Sequence, residues 1–154
     1  MSRAFVREQD IEALAGLPDR LISLHPNHVT DEGMKQLESK LEAAQEAHAA
    51  ALRRQDRSAL ALAGRDLRYW SARRATARVI PNPADTTEVR FGSSVSIRRS
   101  DSREQTFRIV GEDEANPSKG TISHASPLAR ALMGKGLGDV AGLGTTEVEI
   151  LAIR

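Results

Sequence analysis

Apolar positions in the first half of the chain recur every three to four residues, the spacing of a helix that buries one narrow stripe. The first such seam runs through Met34, Leu37, Leu41, Ala44, His48 and Ala51. The second runs through Leu60, Ala63, Leu67, Trp70, Arg74 and Ala77, and only Arg74 fits it poorly. Two such helices joined by a short turn pack antiparallel. The pattern predicts a coiled-coil hairpin over residues 30–80, with Thr30 as its N-cap, Trp70 in its core and its tip at about residues 53–59.

The apolar period changes to two after Pro81 and Pro83, because proline cannot continue the second helix. Alternating segments predict strands at residues 88–91, 94–98, 105–110 and 145–153. Ser126 and Pro127 are typical helix-start residues, and a short apolar run follows them. Residues 81–154 are therefore predicted to form a small α+β domain of several antiparallel strands and one short helix.

The segment before the hairpin, residues 1–29, is predicted to be an irregular lead, with a possible helical turn at Ile11–Leu17. The 154 residues include no cysteine, which excludes a disulfide scaffold and any cysteine-based metal site. No apolar run approaches the ~20 residues needed to span a bilayer. We therefore expect a cytoplasmic protein with no membrane partner; a monomer is a separate expectation that these features do not decide.

The net charge of +1 hides one strongly basic segment. Residues 53–78 contain eight arginines against Asp56 and Asp66. The arginines are Arg53, Arg54, Arg57, Arg65, Arg68, Arg73, Arg74 and Arg78. Such a block is typical of a surface that meets an anionic partner. The alternative is a solvated helix face that pairs with the acidic segment 31–52.

The second half of the chain carries a sequence pattern that resembles the Gre family of bacterial transcription elongation factors. The pattern comprises Ile109-Val110-Gly111-Glu112-Asp113-Glu114-Ala115, then Gly120-Thr121-Ile122-Ser123, Ser126-Pro127-Leu128-Ala129-Arg130-Ala131-Leu132-Met133-Gly134-Lys135 and Gly138-Asp139-Val140. The resemblance covers roughly residues 30–154. It implies an FKBP-like C-terminal domain that docks on RNA polymerase, and a coiled-coil finger that enters the secondary channel of the polymerase. Such a protein is no enzyme itself, since it completes the polymerase's own site for hydrolysing backtracked RNA.

The resemblance also defines what the tip should carry. Acidic residues at the tip of a Gre finger help to hold the catalytic Mg²⁺ of the polymerase. Here Asp56 is retained, but Ala59 and Leu62 stand where the family has its other acids, and the finger is shorter by roughly two turns per helix. This implies weak or absent cleavage stimulation. Asp56 is then either a residual ligand of the polymerase's Mg²⁺ or the N-cap of the second helix, with the N-cap favoured; no cofactor of the protein's own is expected.

Further candidate sites follow from the same comparison. Ser126, Pro127 and Arg130 lie in the signature loop and helix, where the partner is expected to bind, although the first two are equally well explained as a helix start. The basic patch Arg53, Arg54, Arg57, Arg65 and Arg68 is a candidate contact for nascent RNA. The histidines His25, His28, His48 and His124 lack metal-ligand spacing, and Glu112–Glu114 are interpreted as a charged polar turn.

Three other functions compete with this hypothesis. A genuine cleavage factor would work through Asp56. A prolyl isomerase needs an aromatic pocket, whereas residues 81–154 contain only Phe91 and Phe107 as aromatic residues. A regulator of another enzyme, such as nucleoside-diphosphate kinase, is less favoured because the signature segments follow the elongation factors.

Overall fold

The computed structural model describes residues 17–154, which divide into two compact units. The N-terminal unit contains Lys35–Thr76 and the described part of the lead up to Leu24. The C-terminal unit contains His25–Met34 and Ala77–Arg154. The helical turn suggested for Ile11–Leu17 lies almost wholly outside the described residues. None of the helices in residues 17–154 has the length and apolarity that a bilayer crossing requires.

The N-terminal unit contains most of one long helix, α1 (Asp31–Arg54), from Lys35 onward, and all of a second, α2 (Arg57–Thr76). Acidic residues in the first turn of α1 and arginines in its last turn complement the helix dipole. The predicted seam of α1 is buried at Leu37, Ala44 and Ala51, while the positions between these residues are mostly exposed.

Contacts between the helices show that they run antiparallel. Near the start of α1, Glu38 accepts hydrogen bonds from Arg74 at 3.1 Å. Near the end of α1, His48 lies beside Gly64. Residues with higher numbers on α1 therefore contact residues with lower numbers on α2. This antiparallel order confirms the predicted hairpin.

The seam of α2 differs from the prediction in its last turns. Arg73, which is 2% exposed, is the buried residue there, while Arg74 is exposed and reaches Glu38. Trp70 is only half-buried, so the prediction that it lies in the core is confirmed only in part. The buried position in the last turns of α2 therefore lies one residue earlier than the predicted seam.

The C-terminal unit contains a five-stranded sheet. Its strands are β3 (Ser94–Arg99), β4 (Glu104–Val110), β5 (Thr121–Ser123), β6 (Val140–Leu143) and β7 (Thr146–Ile153), in the spatial order β5-β4-β3-β7-β6. A 3-10 turn, Pro117–Lys119, precedes β5. Helix α3 (Pro127–Leu132) covers one face and buries Ala129 and Leu132 against Ile97, Ile109 and Ile150. The α+β class is confirmed, with one correction: β4 and β5 pair in parallel, whereas an antiparallel sheet was predicted.

The strand predicted at residues 88–91 is wrong. Val89 and Phe91 are buried, as their alternation suggested, but the segment does not join the sheet. Instead, the N–H of Val89 donates to the carbonyl of Lys135 at 2.8 Å, and the N–H of Gly134 donates to the carbonyl of Val89 at 2.8 Å. The segment therefore pairs with the loop after α3.

The lead is less irregular than predicted, since its end forms a strand. β1 (His28–Val29) pairs in parallel with β2 (Arg78–Val79), which directly follows α2. The ring of His28 packs edge-on against Phe91 at 5.8 Å and stacks on His124 at 5.6 Å. Two of the histidines thus serve as packing groups in the C-terminal unit.

Candidate functional site

The turn between α1 and α2, at the tip of the hairpin, is closed by main-chain hydrogen bonds. The N–H of Gln55 donates to the carbonyl of Leu52 at 3.1 Å, and the N–H of Asp56 donates to the carbonyl of Ala51 at 3.0 Å. This pair of bonds is the Schellman arrangement, in which the first residue after the helix takes a left-handed conformation. Gln55 does so with φ of 53°, where glycine is the usual residue.

Asp56 begins α2. Its Oδ1 accepts a hydrogen bond from the N–H of Ala59 at 3.0 Å, and its carbonyl accepts from the N–H of Leu60 at 2.9 Å. This is the geometry of an N-cap. Within residues 17–154 no group of three or more histidine or carboxylate side chains could hold a metal ion. Asp56 is therefore an isolated carboxylate at the tip, with one oxygen engaged by the backbone.

The structure divides the predicted basic patch into two parts. We call the part of the hairpin outside the tip (residues 53–59) the shaft. On the shaft, Arg65 pairs with Asp66 at 3.3 Å and Arg68 pairs with Asp19 at 2.7 Å. At the tip, the three arginines are exposed and have no ion-pair partner within residues 17–154: Arg53, Arg54 and Arg57. The distinction was invisible in the sequence because it depends on which carboxylates lie near each guanidinium.

The lead supplies part of this neutralisation. Asp19 contacts Arg68, and Arg20 reaches Asp66 at 3.4 Å. The guanidinium of Arg20 also lies 3.8 Å above the centre of the Tyr69 ring, a cation–π arrangement. The described part of the lead thus packs on α2 through charged and aromatic contacts.

The signature loop and helix of the C-terminal unit present an exposed surface. Ser126 caps α3 by accepting from the N–H of Ala129 at 3.3 Å, and Pro127 occupies the first helical position. Arg130 is exposed and has no ion pair within the described residues. Ser126 and Pro127 therefore have the helix-start role foreseen for them, and Pro127 and Arg130 are accessible to a partner.

Sequence reasoning missed three exposed apolar side chains in the segment that follows this helix. Met133, Leu137 and Val140 are 39%, 69% and 51% exposed. All three lie within eight consecutive residues, and large apolar side chains exposed close together are a common mark of a protein-binding surface. The available signal was Leu137, a large apolar residue between two glycines in a segment that otherwise looks like a turn.

The acidic turn Glu112–Glu114 has a structural role that sequence reasoning also missed. The Glu114 carboxylate accepts hydrogen bonds from the N–H of Thr30, at 3.0 Å, and from the Thr30 hydroxyl. Thr30 in turn caps α1, since its Oγ1 accepts from the N–H of Gly33 at 3.0 Å. A Cβ at Gly33 would overlap this carboxylate. We call Thr30, Gly33 and Glu114 the root clamp, because they fix the first turn of α1 within the C-terminal unit.

A family model described as the C-terminal domain of transcription elongation factor GreA/GreB matches residues 84–154. The curated relatives include GreA of Helicobacter hepaticus, 46% identical over 85 residues, which are 51% of this chain and 52% of the relative. GreB of Neisseria meningitidis is 41% identical over 89 residues, 53% of this chain and 55% of the relative. The chain thus spans about half the length of these relatives. Among solved structures, GreA factor homolog 1 of Thermus thermophilus is 21% identical, covers 84% of this chain and 99% of its own, and has a TM-score of 0.40.

The chain therefore combines a helical hairpin with a domain that matches the GreA/GreB C-terminal family model. The sequence matches confirm the predicted resemblance for residues 84–154, which are similar to the C-terminal domain of the GreA and GreB elongation factors.

Proposed function

We propose that this protein is a cytoplasmic, monomeric elongation factor that binds RNA polymerase at the secondary channel and modulates paused or backtracked complexes, with little or no stimulation of transcript cleavage. The Gre C-terminal domain supports the choice of partner. The single observation that carries the lack of cleavage is the tip, where Asp56 is the only carboxylate and caps a helix. A loosely held second Mg²⁺ needs several oxygen ligands, whereas the tip has one carboxylate and three arginines within three positions of it in sequence.

The proposed docking surface combines Pro127 and Arg130 with the exposed apolar side chains Met133, Leu137 and Val140. Exposed apolar side chains and an arginine with no ion pair in residues 17–154 match the usual composition of a protein interface, where methionine and arginine are enriched. The proposed finger contact is with nascent RNA, through the arginines of the hairpin. Under this proposal the protein needs no cofactor of its own.

A transcript-cleavage assay on stalled elongation complexes tests the proposal. A cleavage-competent Gre factor should shorten the RNA, whereas this protein should leave it at the length that polymerase alone produces. Asp56→Asn is the informative variant, because asparagine caps a helix as well as aspartate does but is a poorer Mg²⁺ ligand. Strong RNA shortening that disappears in Asp56→Asn would contradict the proposal and identify a genuine cleavage factor.

Docking is tested separately by measuring polymerase affinity. Arg130→Glu should weaken binding by about tenfold, the effect of losing roughly 1.4 kcal/mol at an interface. Arg103→Glu is the matched control, since Arg103 is an exposed arginine in the β3–β4 turn, where it contacts Asp101. Equal affinities for the two variants would exclude α3 from the interface. Recovery of a nucleoside-diphosphate kinase instead of polymerase subunits in a pull-down would favour the alternative regulator.

A further inference from the structure

The eight arginines of residues 53–78 differ in what surrounds them. On the shaft, Arg65, Arg68 and Arg74 each have a carboxylate within 3.3 Å. Those carboxylates come from three different segments: α2 itself, the lead and α1. The shaft is therefore close to electrically neutral at these positions, and its arginines are already engaged.

The tip has the opposite character. Arg53 and Arg54 end α1 and Arg57 begins α2, so three guanidinium groups fall within five consecutive residues. All three are exposed and unpaired within the described residues. The one nearby carboxylate, Asp56, is turned to the N–H of Ala59. A charge of three against one, held at a turn closed by its own backbone, remains available to a ligand.

The chemistry of the tip selects the ligand. Guanidinium groups bind phosphate oxygens through paired, charge-assisted hydrogen bonds. A metal cation would be repelled by the same three charges. No aromatic side chain lies at residues 53–59, so the tip cannot stack a base and should not read sequence.

We infer that the tip, through Arg53, Arg54 and Arg57, is a phosphate-binding site that takes the phosphates of an RNA strand or of a nucleoside triphosphate. The inference extends the proposed contact between finger and RNA and assigns it to the tip and not to the shaft. A basic tip of this kind brings the finger to phosphate groups in the place where an acidic tip would bring it to a metal. Its test needs no polymerase, so its failure leaves the docking proposal standing.

The main experiment compares two triple variants of the full chain that change the net charge equally. One replaces Arg53, Arg54 and Arg57 by glutamine, and the other replaces Arg65, Arg68 and Arg74. The probe is a fluorescently labelled single-stranded RNA, and its anisotropy gives the affinity at several salt concentrations. The tip variant should lose about tenfold or more in affinity, and the shaft variant no more than about twofold, since its arginines are already paired.

Salt dependence supplies an independent readout. Three phosphate contacts to a single strand give a slope of about −2 in a plot of log affinity against log salt. The slope should survive in the shaft variant and approach zero in the tip variant. Circular dichroism checks that both variants keep their helices, because glutamine is nearly as good a helix former as arginine.

A second arm identifies the source of the phosphate. Nucleoside triphosphate is titrated alone and then as a competitor of the bound RNA. Tip-dependent binding of the strand only, of the triphosphate only, or of both would each support the site and name its ligand. Equal losses in the tip and shaft variants, or no binding of either probe at low salt, would overturn the inference.

Discussion

The two helices of the hairpin begin in different ways. α1 starts at Thr30, which is held by a carboxylate 84 positions away in the chain and is only 1% exposed. α2 starts at Asp56, which caps its own helix three residues on and lies at a turn with exposed neighbours. The root clamp depends on a closely packed contact between residues far apart in the chain, so substitutions there should be costly. The tip depends on contacts between neighbouring residues, so substitutions there should cost less.

The largest expected effect comes from removing the carboxylate of the root clamp. Glu114→Ala leaves the buried N–H and hydroxyl of Thr30 without their acceptor, which should lower the free energy of unfolding of the C-terminal unit by about 2–3 kcal/mol. Urea unfolding followed by the methyl resonances of Ile97 and Ile150 measures this. Glu147→Ala, at an exposed position of β7, should change it by less than about 0.5 kcal/mol.

A smaller change in the free energy of unfolding is expected for Gly33→Ala, and its sign should depend on whether Glu114 is present. In the natural chain, Gly33→Ala places a Cβ against the Glu114 carboxylate and should destabilise by about 1–2 kcal/mol. Once Glu114 is alanine, the obstacle is gone and the better helix propensity of alanine should stabilise by about 0.5–1 kcal/mol. A double-mutant cycle measures this coupling; additive effects would show that the two residues do not meet.

At the tip, Asp56→Ala should cost only about 1 kcal/mol, the usual loss for a helix cap. The loss should be local, appearing as faster amide exchange at Ala59 and Leu60, while the C-terminal sheet keeps its protection. Glu42→Ala, on the exposed face of α1, serves as the control. If Asp56→Ala loosened the sheet as much as Glu114→Ala does, the contrast between root and tip would be lost.

The smallest expected effect is an increase in the stability of the hairpin. Gln55 has a φ of 53°, which strains a residue with a Cβ, so Gln55→Gly should stabilise the hairpin by about 0.5–1 kcal/mol. Urea unfolding followed by the fluorescence of Trp70 gives the value. A loss of stability in this variant would mean that the Gln55 side chain makes a contact outweighing its strain.

The same contrast explains what the sequence could predict. The hairpin followed from the spacing of Leu37, Ala44 and Ala51, because helical periodicity is a local property. The helix-start geometry at Ser126 and Asp56 was foreseen for the same reason.

Features that join distant parts of the chain were missed. Glu114 looked like part of a polar turn because nothing near it in sequence shows that it reaches Thr30. The separation of paired shaft arginines from unpaired tip arginines depends on Asp19 and Glu38, each more than 30 positions from its partner. β6 was missed because Val140–Leu143 is short and contains a glycine, so it carries too little alternation to identify.

The main-chain bonds that close the tip have one more consequence. Because the bonds are made by the N–H groups of Gln55 and Asp56, the turn does not depend on which side chains flank it. Arg54, Arg57 and Ala59 can therefore be exchanged for other residues while the backbone keeps its course. The same hairpin backbone can therefore carry either acidic or basic residues at its tip. A change in the chemistry of the tip does not require a change in the fold.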